Sequence, residues 1–190
     1  MLDRITLITG NPGKAAEFAA MLGIEVTTAK AELIEIQAID PATVAERKAA
    51  DAYAQLSTPV LVDDTGLSLH GWNGLPGALV VWFIETVGAQ GILGMAGDLP
   101  DRTATAVTAL GYADANGVQV FRGTVTGTLA AEPRGTSGFG FDAIFIPHDS
   151  DGRTFAQMTS EEKNKISHRR RAVEAMRTGL GLADPPAAMD

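Results

Sequence analysis

Cysteine is absent from the 190-residue sequence, and histidine occurs only three times. Disulfide scaffolds, cysteine nucleophiles and cysteine-ligated zinc are excluded together. No run of eighteen apolar residues occurs, so no membrane partner and no membrane-spanning segment are expected. Met1-Leu2-Asp3-Arg4 leads into a strand-like run without the layout of a signal peptide, which makes a cytoplasmic location the default expectation. Basic residues are outnumbered, 15 against 23, and the net charge is −8. Duplex binding draws most of its affinity from basic charge, so nucleic acid is not an expected partner. A small polyanion needs only a local basic pocket and is compatible with this balance.

What is present reads as an ordinary globular chain, 45% hydrophobic and 20% charged. The length fits one domain, expected over 1–178. The stretch 179–190, rich in Ala, Pro and Asp, reads as a frayed tail. A chain of this size buries roughly 70% of its unfolded surface, enough for a core without metal or disulfide.

The pattern alternates strand and helix signals at first. Arg4 to Thr9 reads as a strand, and Asn11 and Pro12 as the cap and first residue of a helix reaching Leu22. Ile24 to Thr28 is a second strand, and Asp40-Pro41 opens a helix to about Leu56. Pro59 to Asp63 reads as a buried strand that Asp64-Thr65-Gly66 turns. Short helices are expected over 78–87 and 89–96. A hairpin then spans 102–129 about Asp114-Ala115-Asn116-Gly117, followed by a short strand over 143–146. Thr159-Ser160-Glu161-Glu162 is a capping box for the last helical region, and Ser167 is a candidate cap for a separate final helix. The class is α/β with a mixed sheet.

Four segments carry chemistry. Thr9-Gly10-Asn11-Pro12-Gly13-Lys14 is a glycine turn into a helix start, which exposes backbone N–H groups suited to phosphate, with Lys14 as a mobile cation. Its plain alternative is a capped helix with a surface lysine; the spacing is too short for a Walker A loop. Asp63-Asp64 closes an apolar strand, and Glu35 lies between apolar residues. Hard oxygen donors without cysteine suit Mg²⁺. Because strand side chains alternate, only one of the two aspartates is expected to face a given site squarely. Phe139-Gly140-Phe141-Asp142, in a glycine-rich loop, offers rings for stacking on a base, or two core anchors. Five of the fifteen Lys and Arg fall between 163 and 171. In one straight helix Lys163 and His168 would stand about 140° apart. They can share a small ligand only if the helix breaks before Ser167. Cations at the first positions of a new helix oppose its dipole, and a bound phosphate would reverse that penalty. His70 and His148 read as structural or surface residues.

Taken in order, these blocks resemble the inosine triphosphate pyrophosphatase family, enzymes of non-canonical purine nucleoside triphosphates. The match is carried by Thr9-Gly10-Asn11 through Lys14, Asp63-Asp64-Thr65-Gly66-Leu67, Gly138-Phe139-Gly140-Phe141-Asp142, and Glu162-Lys163-Asn164 with Ser167-His168-Arg169. Gly74-Leu75-Pro76-Gly77 with Trp82-Phe83 is similar too. The resemblance implies a long twisted mixed sheet with flanking helices, two lobes around a nucleotide cleft, and a homodimer. It implies Mg²⁺-dependent attack of water at the α-phosphate of ITP, dITP or XTP, giving monophosphate and pyrophosphate. It places the triphosphate on Thr9, Gly10, Asn11, Pro12, Gly13, Lys14 and Lys48. Glu35 and Asp64 become metal ligands, with Asp64 as catalytic proton acceptor, and Thr65 a neighbouring substrate contact. Phe139, Gly140, Phe141, Asp142, Lys163, His168 and Arg169 meet base and substrate. Two positions depart from the pattern: Val80-Val81 stands where members carry a basic residue, and Gln157 replaces a glutamate of unassigned role. A Maf-like pyrophosphatase of modified pyrimidine nucleotides, a non-catalytic nucleotide sensor and a ligand-free structural protein are the alternatives.

Overall fold

The structure is a computed structural model that describes residues 4–10 and 12–182. Asn11 and the segment 183–190 lie outside the described residues, and with them Asn11's expected roles as helix cap and phosphate contact. The described residues form seven strands and six helices: β1 (Arg4–Ile8), α1 (Pro12–Leu22), β2 (Glu25–Ala29), α2 (Pro41–Leu56), β3 (Val60–Leu69), β4 (Pro76–Gly77), α3 (Val80–Thr86), α4 (Gly88–Ala96), β5 (Thr103–Asp114), β6 (Gly117–Leu129), β7 (Phe145–Pro147), α5 (Ser160–Ile166) and α6 (His168–Gly179).

The sheet runs β2-β1-β3-β5-β6-β7, with the two-residue β4 paired to β3. β2, β1 and β3 are parallel, and the rest pair antiparallel. The mixed sheet follows from the connections. Helices α1 and α2 supply the crossovers that parallel strands need, whereas β5 and β6 are joined by a tight turn. That turn is held by Asp114, whose carboxylate accepts from the Asn116 backbone N–H at 2.8 Å. Helix α2 starts where the Asp-Pro signal predicts it, with the Asp40 side chain accepting from the Ala42 N–H at 3.0 Å.

One expected turn does not exist. β3 passes straight through Asp64-Thr65-Gly66 and pairs with β5 over ten residues, from Val60↔Ala113 to Leu69↔Ala104. Gly66 is there for close approach, not for bending: a Cβ on it would lie 2.7 Å from Pro41 Cγ and 2.8 Å from the Gly77 carbonyl carbon. The pairing with a long β5 outweighs the local turn signal.

The core falls into three clusters. Ile5, Leu7, Phe18, Leu61, Leu110 and Met176 fill the space between the sheet, α1 and α6. Ala49, Ala52, Val60 and Val62 join α2 to the sheet's other face. Leu67, Leu69, Val80, Ile92, Phe145 and Phe155 build the second lobe around the far end of β3. Close contact of α6 with β6 depends on Gly123, where a Cβ would press into the His168 carbonyl oxygen and the Ala172 nitrogen. Beyond Gly179 the chain stays docked through Leu182, where Leu180 and Leu182 pack against the first cluster and the Leu182 N–H donates to the Arg177 carbonyl. Among the described residues no helix is long and apolar enough to cross a membrane.

Candidate active site

β1 pairs with β3 only at Thr6↔Val60 and Leu7↔Leu61. β1 then ends, and that edge of β3 stays open over residues 62–66, until β4 pairs with Leu67 and Ser68. A cleft of about 720 Å³ lies there, lined by Thr9, Gly10, Lys14, Lys30, Glu35, Lys48, Asp63, Asp64 and Thr65 among others. Its position, outside the carboxyl ends of parallel strands, is where open α/β sheets bind ligands. Pro12 and Gly13 are the first two residues of α1, so the glycine turn leads directly into a helix N-terminus.

Both aspartates of β3 border this cleft, which corrects the expectation that one faces away. Their side chains do diverge as strand alternation requires. Asp63 meets Lys14 at 2.8 Å and Arg169 at 3.9 Å; Asp64 meets Lys48 at 3.5 Å. With no strand beside them on the β1 side, both directions open onto the same space. The two acids are 5% and 6% exposed, yet their protonation differs. Burial would raise the Asp63 carboxyl, but the charges of Lys14 and Arg169 outweigh it and hold the group below the ordinary carboxylate range. Burial raises Asp64 to about 7 despite Lys48 and Lys14, helped by repulsion from Asp63 and Glu35. Glu35 approaches the same Lys48 ammonium at 3.8 Å. The second oxygen of Asp64, Oδ2, is buried without a hydrogen-bond partner.

A smaller cavity of about 130 Å³ adjoins the cleft through Lys14, Thr65 and Val81, which line both. Its other walls are Val80, Ile84, Phe139, Gly140, Phe141, Asp142, Lys163, His168 and Arg169. The helix break that this arrangement needs is present. α5 ends at Ile166, and the Ser167 hydroxyl accepts from the Arg170 N–H at 3.2 Å to start α6. Lys163 and His168 therefore face one cavity. The two phenylalanines differ. Phe141 is a core anchor in edge contact with Phe145, with ring centroids 6.2 Å apart. Phe139 is half-buried, with the Lys163 ammonium 4.7 Å and the Arg169 guanidinium 5.5 Å from its ring centre. Asp142 closes the loop by accepting from the Phe139 N–H at 2.8 Å and from Lys163 at 2.7 Å.

The cations at the start of α6 are offset from within the chain, so no bound phosphate is required to relieve them. Glu17 of α1 pairs with Lys163 at 3.2 Å and also with Arg169. His168 is buried, and burial, followed by the charges of Arg169, Lys163 and Lys14, keeps its ring neutral. Sequence reasoning missed Glu17, although an acid one helical turn after Lys14 was a usable signal. It missed Lys30, which directly follows the carboxyl end of β2. Thr108 of β5, against His168, carries no distinguishing pattern in a strand with several threonines. Gln157 now has a structural role: its side chain accepts from the Thr154 N–H at 3.0 Å and caps the single turn Phe155–Gln157. Val81 is 43% exposed and faces the cleft, whereas Val80 is buried.

The sequence profile of the Ham1 family matches residues 5–179. The chain belongs to the Ham1 family. It is 42% identical over 173 residues to a dITP/XTP pyrophosphatase of Thermococcus kodakarensis, covering 90% of this chain and 93% of the relative. It is 38% identical over 182 residues to inosine triphosphate pyrophosphatase 2 of Trypanosoma cruzi, covering 94% and 93%. A HAM1 protein from Coxiella burnetii has the same fold, with a TM-score of 0.83 at 31% identity over 95% of this chain and 99% of that one.

Proposed function

We propose that this Ham1 protein is a homodimeric, Mg²⁺-dependent pyrophosphatase that hydrolyses ITP, dITP and XTP to the monophosphate and pyrophosphate, and so removes deaminated purines from the nucleotide pool. The observation that carries the reading is the pair of adjoining cavities. One has lysines and carboxylates at a helix start; the other has an aromatic face, a neutral histidine and buried cations. A triphosphate fits the first and a purine the second, which puts the α-phosphate near Lys14 and Thr65, the polar residues common to both. The names of the relatives support the same reaction.

The donor set suits magnesium. Glu35 and Asp64 meet the same lysine, and Asp64 offers a buried oxygen without a partner. Mg²⁺ is usually held by one or two carboxylates, with water and substrate phosphates completing its shell. Among the described residues no cluster of three metal-binding side chains exists, in keeping with so sparse a site. When bound, the ion supplies charge neutralisation of the phosphate oxygens. The chain's own groups do the rest. Lys14, Lys48 and the N-terminus of α1 hold the phosphates. Asp64, with its carboxyl near 7, accepts the proton of the attacking water as the water oxygen bonds to the α-phosphorus and pyrophosphate leaves.

A panel of ITP, XTP, dITP, GTP, ATP and CTP with Mg²⁺ or EDTA, read as pyrophosphate release, tests this. ITP, dITP and XTP should exceed ATP by at least about tenfold in kcat/KM, about 1.4 kcal/mol. Orthophosphate as product, or equal use of ATP, refutes it. Preference for modified pyrimidine nucleotides would favour the Maf-like alternative. Light scattering tests the dimer.

A further inference from the structure

We infer that Thr108 sets the base preference of the smaller cavity by fixing His168 as the tautomer that carries its proton on Nε2. The inference rests on the nucleotide reading above and adds a residue that touches no proposed substrate group. Thr108 is fully buried in β5. Its hydroxyl oxygen lies 2.6 Å from His168 Nδ1 and 3.4 Å from the Thr65 hydroxyl.

A neutral imidazole has one N–H and one bare nitrogen, and a threonine hydroxyl has one proton to give. Two arrangements are therefore available. In the first, Thr108 donates to Nδ1, and the ring proton sits on Nε2. A separation of 2.6 Å is in the range of hydroxyl donors and below that of N–H donors. In the second, Nδ1–H donates to Thr108, whose own proton must go to Thr65 at 3.4 Å, beyond hydroxyl range. The second arrangement thus strands a buried hydroxyl proton, and the first prevails. Burial and the cations around the ring remove the doubly protonated form. The Phe141 and Phe155 rings, at centroid distances of 5.9 and 6.0 Å, pack against the imidazole and hold its orientation.

With Nδ1 committed as an acceptor, the imidazole can present only an N–H to the cavity it lines. A 6-oxopurine accepts from that donor. A 6-aminopurine meets it donor to donor, leaving both groups unpaired, which is the kind of mismatch that rejects a base strongly. Thr108 is a positioning residue: it acts through His168.

The test compares Thr108→Val, which keeps the shape and loses the hydroxyl, with Thr108→Ser, which keeps the hydroxyl. Long-range ¹⁵N–¹H spectra of the imidazoles report the tautomer directly, with His70→Gln and His148→Gln variants assigning the His168 signals. The wild type and Thr108→Ser should show Nε2–H, and Thr108→Val should show the Nδ1–H form gaining. The ratio of kcat/KM for ITP to that for ATP should fall at least tenfold in Thr108→Val and hold within about threefold in Thr108→Ser. Wild-type spectra showing Nδ1–H overturn the inference even if the valine variant fails to fold. So does a folded Thr108→Val with an unchanged ITP-to-ATP ratio. If the wild type does not release pyrophosphate from ITP at all, the functional reading fails, while the spectra still decide the tautomer.

Discussion

Asp63 and Asp64 are neighbours with opposite effects on stability, and replacing each by asparagine separates them. Asp64 has its carboxyl raised from 3.8 to about 7, chiefly by burial. The folded state holds the proton that the unfolded chain gives up near 3.8. Wild-type stability therefore declines as pH rises from about 4 to 7, and at pH 8 the ionised group costs up to about 4 kcal/mol. Asp64→Asn removes that cost. Even half of it corresponds to a rise of roughly 4–8 °C in Tm for a domain of this size. Asp63 has its carboxyl lowered: burial opposes ionisation, but Lys14 and Arg169 win. Its contribution is present above the unfolded value and lost as pH falls through the lower folded one. Asp63→Asn breaks a buried pair at neutral pH, at a cost of roughly 3–5 kcal/mol. Thermal melts of wild type and both variants in EDTA, from pH 4 to 8, read the two signs. The Asp64→Asn advantage should be near zero at pH 4 and fully developed by pH 8, in a variant that no longer turns over ITP. An Asp64→Asn protein that melts at or below wild type at pH 8, or a pH-independent difference, refutes the reasoning. Equal shifts of one sign in both variants refute the divergence of the two side chains.

Val81→Lys places a cation on an exposed cleft wall. It should lower KM for ITP about tenfold, the low end of one charge-assisted hydrogen bond at roughly 1.5–3 kcal/mol, with Tm unchanged. Val80→Lys, at a buried site one residue earlier, should instead lower Tm without improving KM. Ser167→Ala removes the cap that separates α5 from α6. It should cost about 1 kcal/mol, roughly 2–4 °C, and raise KM by loosening Lys163 against His168, as melting and steady-state kinetics would show. Gly123→Ala forces a methyl into the α6 backbone. A loss of at least about 1–3 kcal/mol in denaturant unfolding is expected.

Local signals in the sequence were legible wherever backbone chemistry decided the outcome. Asp40-Pro41, the Thr159–Glu162 box, Ser167 and the Asp114–Gly117 turn each act within four residues, and each is where the pattern predicts it. The break at Ser167 was also the step that let Lys163 and His168 share a cavity, so part of the site's geometry could be read before any contact was known. Asp64-Thr65-Gly66 was misread because its turn signal is local while its strand pairing with β5 is not. Glu17 sits 146 and 152 residues from its partners Lys163 and Arg169. Thr108 is 60 residues from His168. No spacing along the chain reports such pairs, because they arise only when α1, β5 and α6 pack against one another.

The site's chemistry follows from a mismatch in strand length. Had β1 continued beside β3, the Asp63-Asp64 pair would lie against a neighbouring strand, and two buried acids would have no room for a charged ligand. Because β1 stops at Ile8 and its chain turns into α1, the edge of β3 is left open at its two acids. Lys14 and Lys48 then arrive from helices on opposite faces, and each claims one aspartate. That division makes one acid a fixed counterion and leaves the other near neutrality. The cost of holding Asp64 ionised at pH 8, about 4 kcal/mol by the same reasoning, is retained in the folded protein, and it leaves a carboxyl able to take a proton at physiological pH, as the proposed reaction requires. Asp64→Asn would remove the cost and the reaction together. Asp63→Asn, by releasing Lys14 and Arg169, would disturb both cavities at once.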